Sequence, residues 1–247
     1  MKGKVLNLMM LGLFSMGVYA GGNVQHDKNA LHDEALSHVS DAYTLCDAGK
    51  NQSPIDITES ADRDLDSISF HYNPSPVRAI NNGHTIQMNY APGSYMEAGG
   101  RRYHLLQFHF HTPSEHRVSG NASDMEVHLV HKSDDGHIAI VGVMLNEGRN
   151  NRHLGRLWQI MPTKIDNEVY ADGAMMNVAD LLPENHAYYH YQGSLTTPPC
   201  SEGVSWFVMK NSLTLSKKAV RKFQSVVGNN ARPVQALHAR IPMQMAR

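Results

Sequence analysis

Two stretches of this chain are laid out for extended strands. In Gln107-Phe108-His109-Phe110-His111 and in Glu126-Val127-His128-Leu129-Val130-His131, side-chain character alternates with a period of two. Only a strand sorts that pattern onto two faces. Gln107, His109 and His111 then share one face, while Phe108 and Phe110 point the other way, where they can enter a core. The two imidazoles stand about 7 Å apart at their Cα atoms, a spacing that lets both lean onto one bound ion. His128 shares its face with Glu126 and Val130. If the two strands are neighbours, His128 completes a set of three.

The rest of the chain fits the same architecture. Ile68–Tyr72 and Thr85–Tyr90 read as short strands, the second with Thr85, Gln87 and Asn89 on one face and Ile86, Met88 and Tyr90 on the other. Ile138–Leu145 is a nearly unbroken apolar run, as expected of a strand buried on both faces, and Val204–Met209 is another. Helical signals are few. Ser216 can cap a helix that carries Val220, Phe223 and Val227 at helical spacing and stops at Gly228. A second short helix spans Arg152–Met161, ended by Pro162. With no internal repeat or linker, the expectation is a mainly β (α+β) fold. It is a single domain with a large, mostly antiparallel sheet and peripheral short helices.

Residues 1–20 read as a signal peptide: Lys2 and Lys4, an apolar run over Val5–Val18, then Val18-Tyr19-Ala20 for cleavage. The competing reading is a membrane anchor, but a span needs about 20 apolar residues, and Asn7, Gly12, Ser15 and Gly17 interrupt this run. Residues 21–45 read as an irregular arm, leaving 21–247 as one exported domain, periplasmic or secreted, with no membrane span in the mature chain. Export bears on the only two cysteines, Cys46 and Cys200, because an oxidising compartment favours pairing them. The alternative is two unrelated buried thiols. A bridge would close a loop of about 150 residues, a stabilisation of up to about 5 kcal/mol in the chain-entropy picture. With 22 Lys+Arg against 23 Asp+Glu, there is no electrostatic case for nucleic acid or an anionic membrane as partner.

Three neutral imidazoles favour a borderline ion such as Zn2+ and leave a fourth position for water. Structural zinc sites are usually closed by four protein ligands, so an open set points to catalysis. Gln107 and Glu126, each two residues before a histidine on the same face, are placed to fix the ligands' second nitrogens. The competing reading is that these histidines only line a polar sheet face.

Further motifs extend the pattern: Gln52-Ser53-Pro54-Ile55-Asp56-Ile57, Asn82-Gly83-His84, Glu115-His116 and Ser194-Leu195-Thr196-Thr197-Pro198-Pro199. In order and approximate spacing, from about Cys46 to Arg232, these and the two histidine strands resemble the α-class carbonic anhydrases, bacterial exported type. The resemblance implies a twisted sheet with a conical cleft leading to zinc. His109, His111 and His128 would be the ligands, with Gln107 and Glu126 behind them. Thr196 would contact a zinc-bound hydroxide and pass its proton to Glu115. The carbon dioxide pocket would comprise Val130, Ile140, Leu195, Val204 and Trp206, with Thr197, Asn82 and Gln87 beside it. His84 would be the proton shuttle, and Cys46–Cys200 the bridge of exported members. The activity implied is reversible hydration of carbon dioxide to bicarbonate and a proton, with anions and sulfonamides as inhibitors. Some bacterial members are dimers, so a homodimer is among the assemblies implied. The resemblance departs at residues 21–42, which lack the Trp and Tyr usual there, and Thr112 follows the bacterial pattern.

Three rival functions remain. A non-catalytic relative would be expected to lose a ligand, and all three are present. A zinc-dependent esterase would use the same centre. Zinc storage by the 16 histidines would take up several weakly held ions.

Overall fold

The computed structural model describes residues 44–149 and 152–245. A mixed sheet of 13 strands organises them. From edge to edge its main run is Asn167–Met176, Ser75–Asn81, Ile86–Asn89, Arg101–His111, Met125–Lys132, Ile138–Glu147, Glu202–Met209, Tyr188–Ser194, Met243–Met245 and Ala61–Arg63. Most neighbours are antiparallel. The exceptions are Ile138–Glu147, parallel to both Glu202–Met209 and Leu213–Leu215, and Met243–Met245 beside Ala61–Arg63.

The two histidine strands are antiparallel neighbours, with His109 opposite His128. Pairing slips by one residue further on, where Val130 faces Gln107 but His131 faces Leu105. The extra residue is Leu106, pushed out to 46% exposure. This bulge reverses the alternation, so Tyr103 and Leu105 join Phe108 and Phe110 in the core instead of following Gln107.

Both expected helices form, over Arg152–Ile160 and Lys217–Val227. The Ser216 side chain accepts the Ala219 N–H at the start of the second, and Gly228 ends it at φ 77°, a conformation glycine adopts without strain. Both helices cover the phenylalanine face: the Phe110 ring lies 4.9 Å from Trp158 and 6.0 Å from Phe223. Each fully buried Phe contributes roughly 1.5–3 kcal/mol. Covering one face leaves the histidine face free for chemistry.

The described residues begin with a short helical stretch over 44–48. Two long-range ties hold that segment: Arg232 Nη2 donates to the Cys46 carbonyl at 2.9 Å, and Cys46 is bonded to Cys200. The remainder of the arm and the expected signal peptide lie outside the described residues. No helix among the described residues is long and apolar enough to cross a membrane.

Candidate metal centre

The register of the two central strands brings three imidazoles together. Ring centroids are 5.1 Å apart for His109 and His111, 5.3 Å for His109 and His128, and 4.6 Å for His111 and His128. One nitrogen from each lies within 4.8 Å of the others. The opposite nitrogens are held from behind. His109 Nδ1 meets Gln107 Oε1 at 2.9 Å, and His111 Nδ1 meets the Asn230 carbonyl at 3.3 Å. His128 Nε2 lies 3.0 Å from Glu126 Oε1, at ion-pair distance but without hydrogen-bond alignment. The nitrogens left facing inward are therefore Nε2, Nε2 and Nδ1.

Burial keeps the set uncharged. It pushes His109 well below the ordinary imidazole range and His111 down to about 4, and it lowers His128 as well. His111 Nε2 is buried with no hydrogen-bond partner. A buried polar atom without a partner costs about 1–3 kcal/mol, and a shared ion would remove that cost. These residues fit a borderline divalent ion such as zinc.

Glu126 is the hub behind the cluster. Burial alone would raise its pKa, yet His116 and His128 hold it well below the carboxylate range. Oε2 accepts the backbone N–H groups of Glu115 and His116, both at 2.9 Å, and Oε1 lies 2.8 Å from His116 Nδ1. His116 Nε2 continues to Tyr191 Oη at 2.6 Å, which bonds Ser53 Oγ at 2.8 Å. Sequence reasoning gave His116, Tyr191, Ser53 and Asn230 no role. His116 and Ser53 lay inside quoted motifs, but Tyr191 and Asn230 carried no local signal.

Glu115 is 2% exposed and Thr196 9%. Burial raises the Glu115 pKa, while His128, the Arg232 N–H and the Thr196 hydroxyl act to lower it. Arg232 N–H donates to Oε1 at 2.9 Å, and Oε2 has no aligned donor. Beside them Ile140, Val204 and Trp206 belong to one apolar cluster with Val130 and Leu195 packed against it. The Trp206 ring lies 4.8 Å from His128.

On the other wall Gln87 pairs across the sheet with His109, and its Nε2 donates to Asn89 Oδ1 at 2.7 Å. Asn82 is bound up locally: its Oδ1 accepts from His84 N–H at 3.0 Å and Thr85 N–H at 2.9 Å, building the turn that presents an exposed His84. Thr197 is exposed at the start of the loop that the Cys46–Cys200 disulfide ties down. A separate cavity of about 480 Å³, lined by Tyr103, Tyr188, His190 and Phe207 among others, lies on the opposite face of the sheet and includes none of these groups.

The eukaryotic-type carbonic anhydrase family model matches residues 34–244. A carbonic anhydrase of Neisseria gonorrhoeae is 39% identical over 241 residues, covering 96% of this chain and 95% of that protein. Among solved structures, Photobacterium profundum alpha-carbonic anhydrase superposes with a TM-score of 0.80 at 43% identity, covering 84% of this chain and 95% of that one. The alpha-carbonic anhydrase of Thermovibrio ammonificans, solved with the inhibitor sulfanilamide, gives 0.81 at 42% identity over 85% and 94%. Matched over most of its length in sequence and in fold, the chain belongs to the eukaryotic-type, or α-class, carbonic anhydrases.

Proposed function

We propose that this protein hydrates carbon dioxide reversibly to bicarbonate, releasing one proton per turnover, with a zinc ion held by His109, His111 and His128. The observation that carries the reading is the convergence of three neutral imidazoles around the partnerless His111 Nε2. When bound, zinc supplies Lewis acidity that makes water a nucleophile near neutral pH; carbonic anhydrase is a standard example of this effect.

The chain's own residues do the remainder. Gln107, the Asn230 carbonyl and Glu126 stand behind the three rings to set their tautomer and tilt. Uncharged ligands leave the ion's positive charge undiluted. Thr196 has one proton to donate. Given to ionised Glu115, it leaves the Thr196 oxygen as an acceptor only, which orients the attacking water and disfavours ligands with no proton to offer. The wall of Val130, Ile140, Leu195, Val204 and Trp206 suits a substrate without a net dipole, with Thr197, Asn82 and Gln87 at the pocket's polar side. His84, exposed on its turn, accepts the product proton and hands it to buffer. Hydrolysis of activated esters is a side activity of the same centre. Anions and sulfonamides compete for it.

Export follows from the N-terminal pattern: residues 1–20 are removed as a signal peptide, and the Cys46–Cys200 bridge forms in the oxidising compartment beyond. The test is stopped-flow carbon dioxide hydration, followed by a pH indicator, on zinc-loaded and chelator-stripped protein. Activity should vanish on stripping and return with zinc. Metal-independent hydration, or none with zinc present, overturns the reading.

A further inference from the structure

Asn230 lies two residues beyond the Gly228 stop of the 217–227 helix, and every hydrogen-bonding group it owns is engaged. Its carbonyl meets His111 Nδ1, its N–H donates to the Thr112 carbonyl at 3.1 Å, and its Oδ1 accepts the Thr112 N–H at 2.8 Å. The two carboxamide hydrogens go to Phe110 O at 3.0 Å and to His84 O at 2.9 Å. One residue therefore holds both flanks of His111 and also reaches across to the His84 turn.

That turn is closed locally by the pairing of Asn81 with Ile86, by Asn82 N–H to the Thr85 carbonyl at 3.2 Å and by Gly83 N–H to Asn81 Oδ1 at 3.0 Å, but these bonds stay within the hairpin. Asn82 Oδ1 closes it from within, and Thr85 Oγ1 donates to Phe110 O at 2.6 Å. Asn230 bonds the His84 backbone itself from a sequence separation of 146. An exposed side chain on a glycine-containing turn, with Gly83 at φ 81°, has a defined reach only if its backbone is fixed.

We propose that Asn230 is a positioning residue. Its side chain fixes the His84 turn relative to the metal-binding strand, so that losing its donors impairs proton removal over and above any change at His111. The proposal rests on His84 being the shuttle. Relay efficiency depends steeply on placement.

The primary variant is Asn230→Asp, which keeps the acceptor for Thr112, removes both donors at nearly constant shape and turns an acceptor oxygen toward the Phe110 and His84 carbonyls. In weakly buffered solution its turnover should fall on the order of 3–10-fold, a part of what general acid–base relays supply. Saturating imidazole, which carries protons in place of His84, should restore most of that loss. In a His84→Ala background, the part of the Asn230→Asp loss that imidazole relieves should disappear. In metal-stripped protein, deuterium uptake at residues 82–86 should rise relative to the parent.

Unchanged turnover in weak buffer, unchanged uptake in that segment, or a loss that imidazole does not relieve each overturns the proposal. If His84→Ala itself retains full turnover in weak buffer, the shuttle reading falls and this proposal with it. A loss in His84→Ala beside an unaffected Asn230→Asp sinks the proposal alone. Should Asn230→Asp fail to fold, Asn230→Ser, which keeps one short donor, takes the same tests.

Discussion

Gly142→Ala should damage metal binding although Gly142 is not itself a ligand. Gly142 sits opposite His128 on the neighbouring strand, and a Cβ there would fall 2.7 Å from Glu126 Oε1. Real contacts of that kind are not tolerated, so the carboxylate must move. It cannot move freely. Glu126 is fully buried, and its two oxygens sit against His116, His128 and two backbone N–H groups. Overpacking in such a place costs about 1–3 kcal/mol, roughly 2–12 °C in Tm for a chain of this size. Displacing the group that orients a ligand imidazole lowers metal affinity about 10–100-fold. Chelator competition on the variant and its parent, with calorimetry of the metal-free forms, measures both effects. A variant that melts within 1 °C of its parent and holds zinc equally well would refute the claim that Glu126 has no room to yield.

Other outcomes follow from the same geometry. Thr196→Ala should retain one zinc per chain while hydration slows by about 100-fold or more, the usual size for losing one oriented polar group. Unchanged kinetics would remove Thr196 from the mechanism. His131, buried against Tyr72, has its pKa pushed down by burial to about 3, so the fold keeps it neutral while the unfolded chain protonates near the ordinary 6.5. Its contribution is therefore present above about pH 6.5 and is lost as pH falls toward 3, up to about 5 kcal/mol in all. In metal-stripped protein, His131→Gln should show a flatter Tm curve between about pH 6.5 and 4; a curve parallel to the parent's would contradict this. Replacing Cys46 and Cys200 together by Ser opens a loop with a sequence separation of 154. The urea midpoint should fall by the equivalent of about 2–5 kcal/mol, and an unmoved midpoint would show that the bridge adds nothing.

What the sequence revealed and what it hid divide along a physical line. Period-two alternation exposed the ligand face, because His109, His111 and His128 lie within two continuous strands. Helix punctuation exposed Ser216 and Gly228 for the same local reason. The hidden parts depend on which distant segment arrives behind a strand. Gly142 looked like one residue of an apolar run; only the register with His128 shows that it makes room for Glu126. Tyr191 reaches His116 across a sequence separation of 75, and Asn230 reaches His84 across 146. The bulge at Leu106 erased the alternation for Tyr103 and Leu105. The Ser75–Asn81 strand begins with Ser-Pro, and the edge strand Asn167–Met176 contains Gly173 and a register shift, so neither carries a strong pattern of its own.

The central claim is that three uncharged imidazoles grip one ion and no fourth protein atom closes the site. Diffraction from zinc-loaded crystals, recorded on both sides of the zinc absorption edge, tests this directly. The account predicts a single strong anomalous peak per chain, bonded to Nε2 of His109, Nε2 of His111 and Nδ1 of His128, with solvent completing the set. A peak placed elsewhere, or one closed by Glu115 or any other protein group, would contradict it.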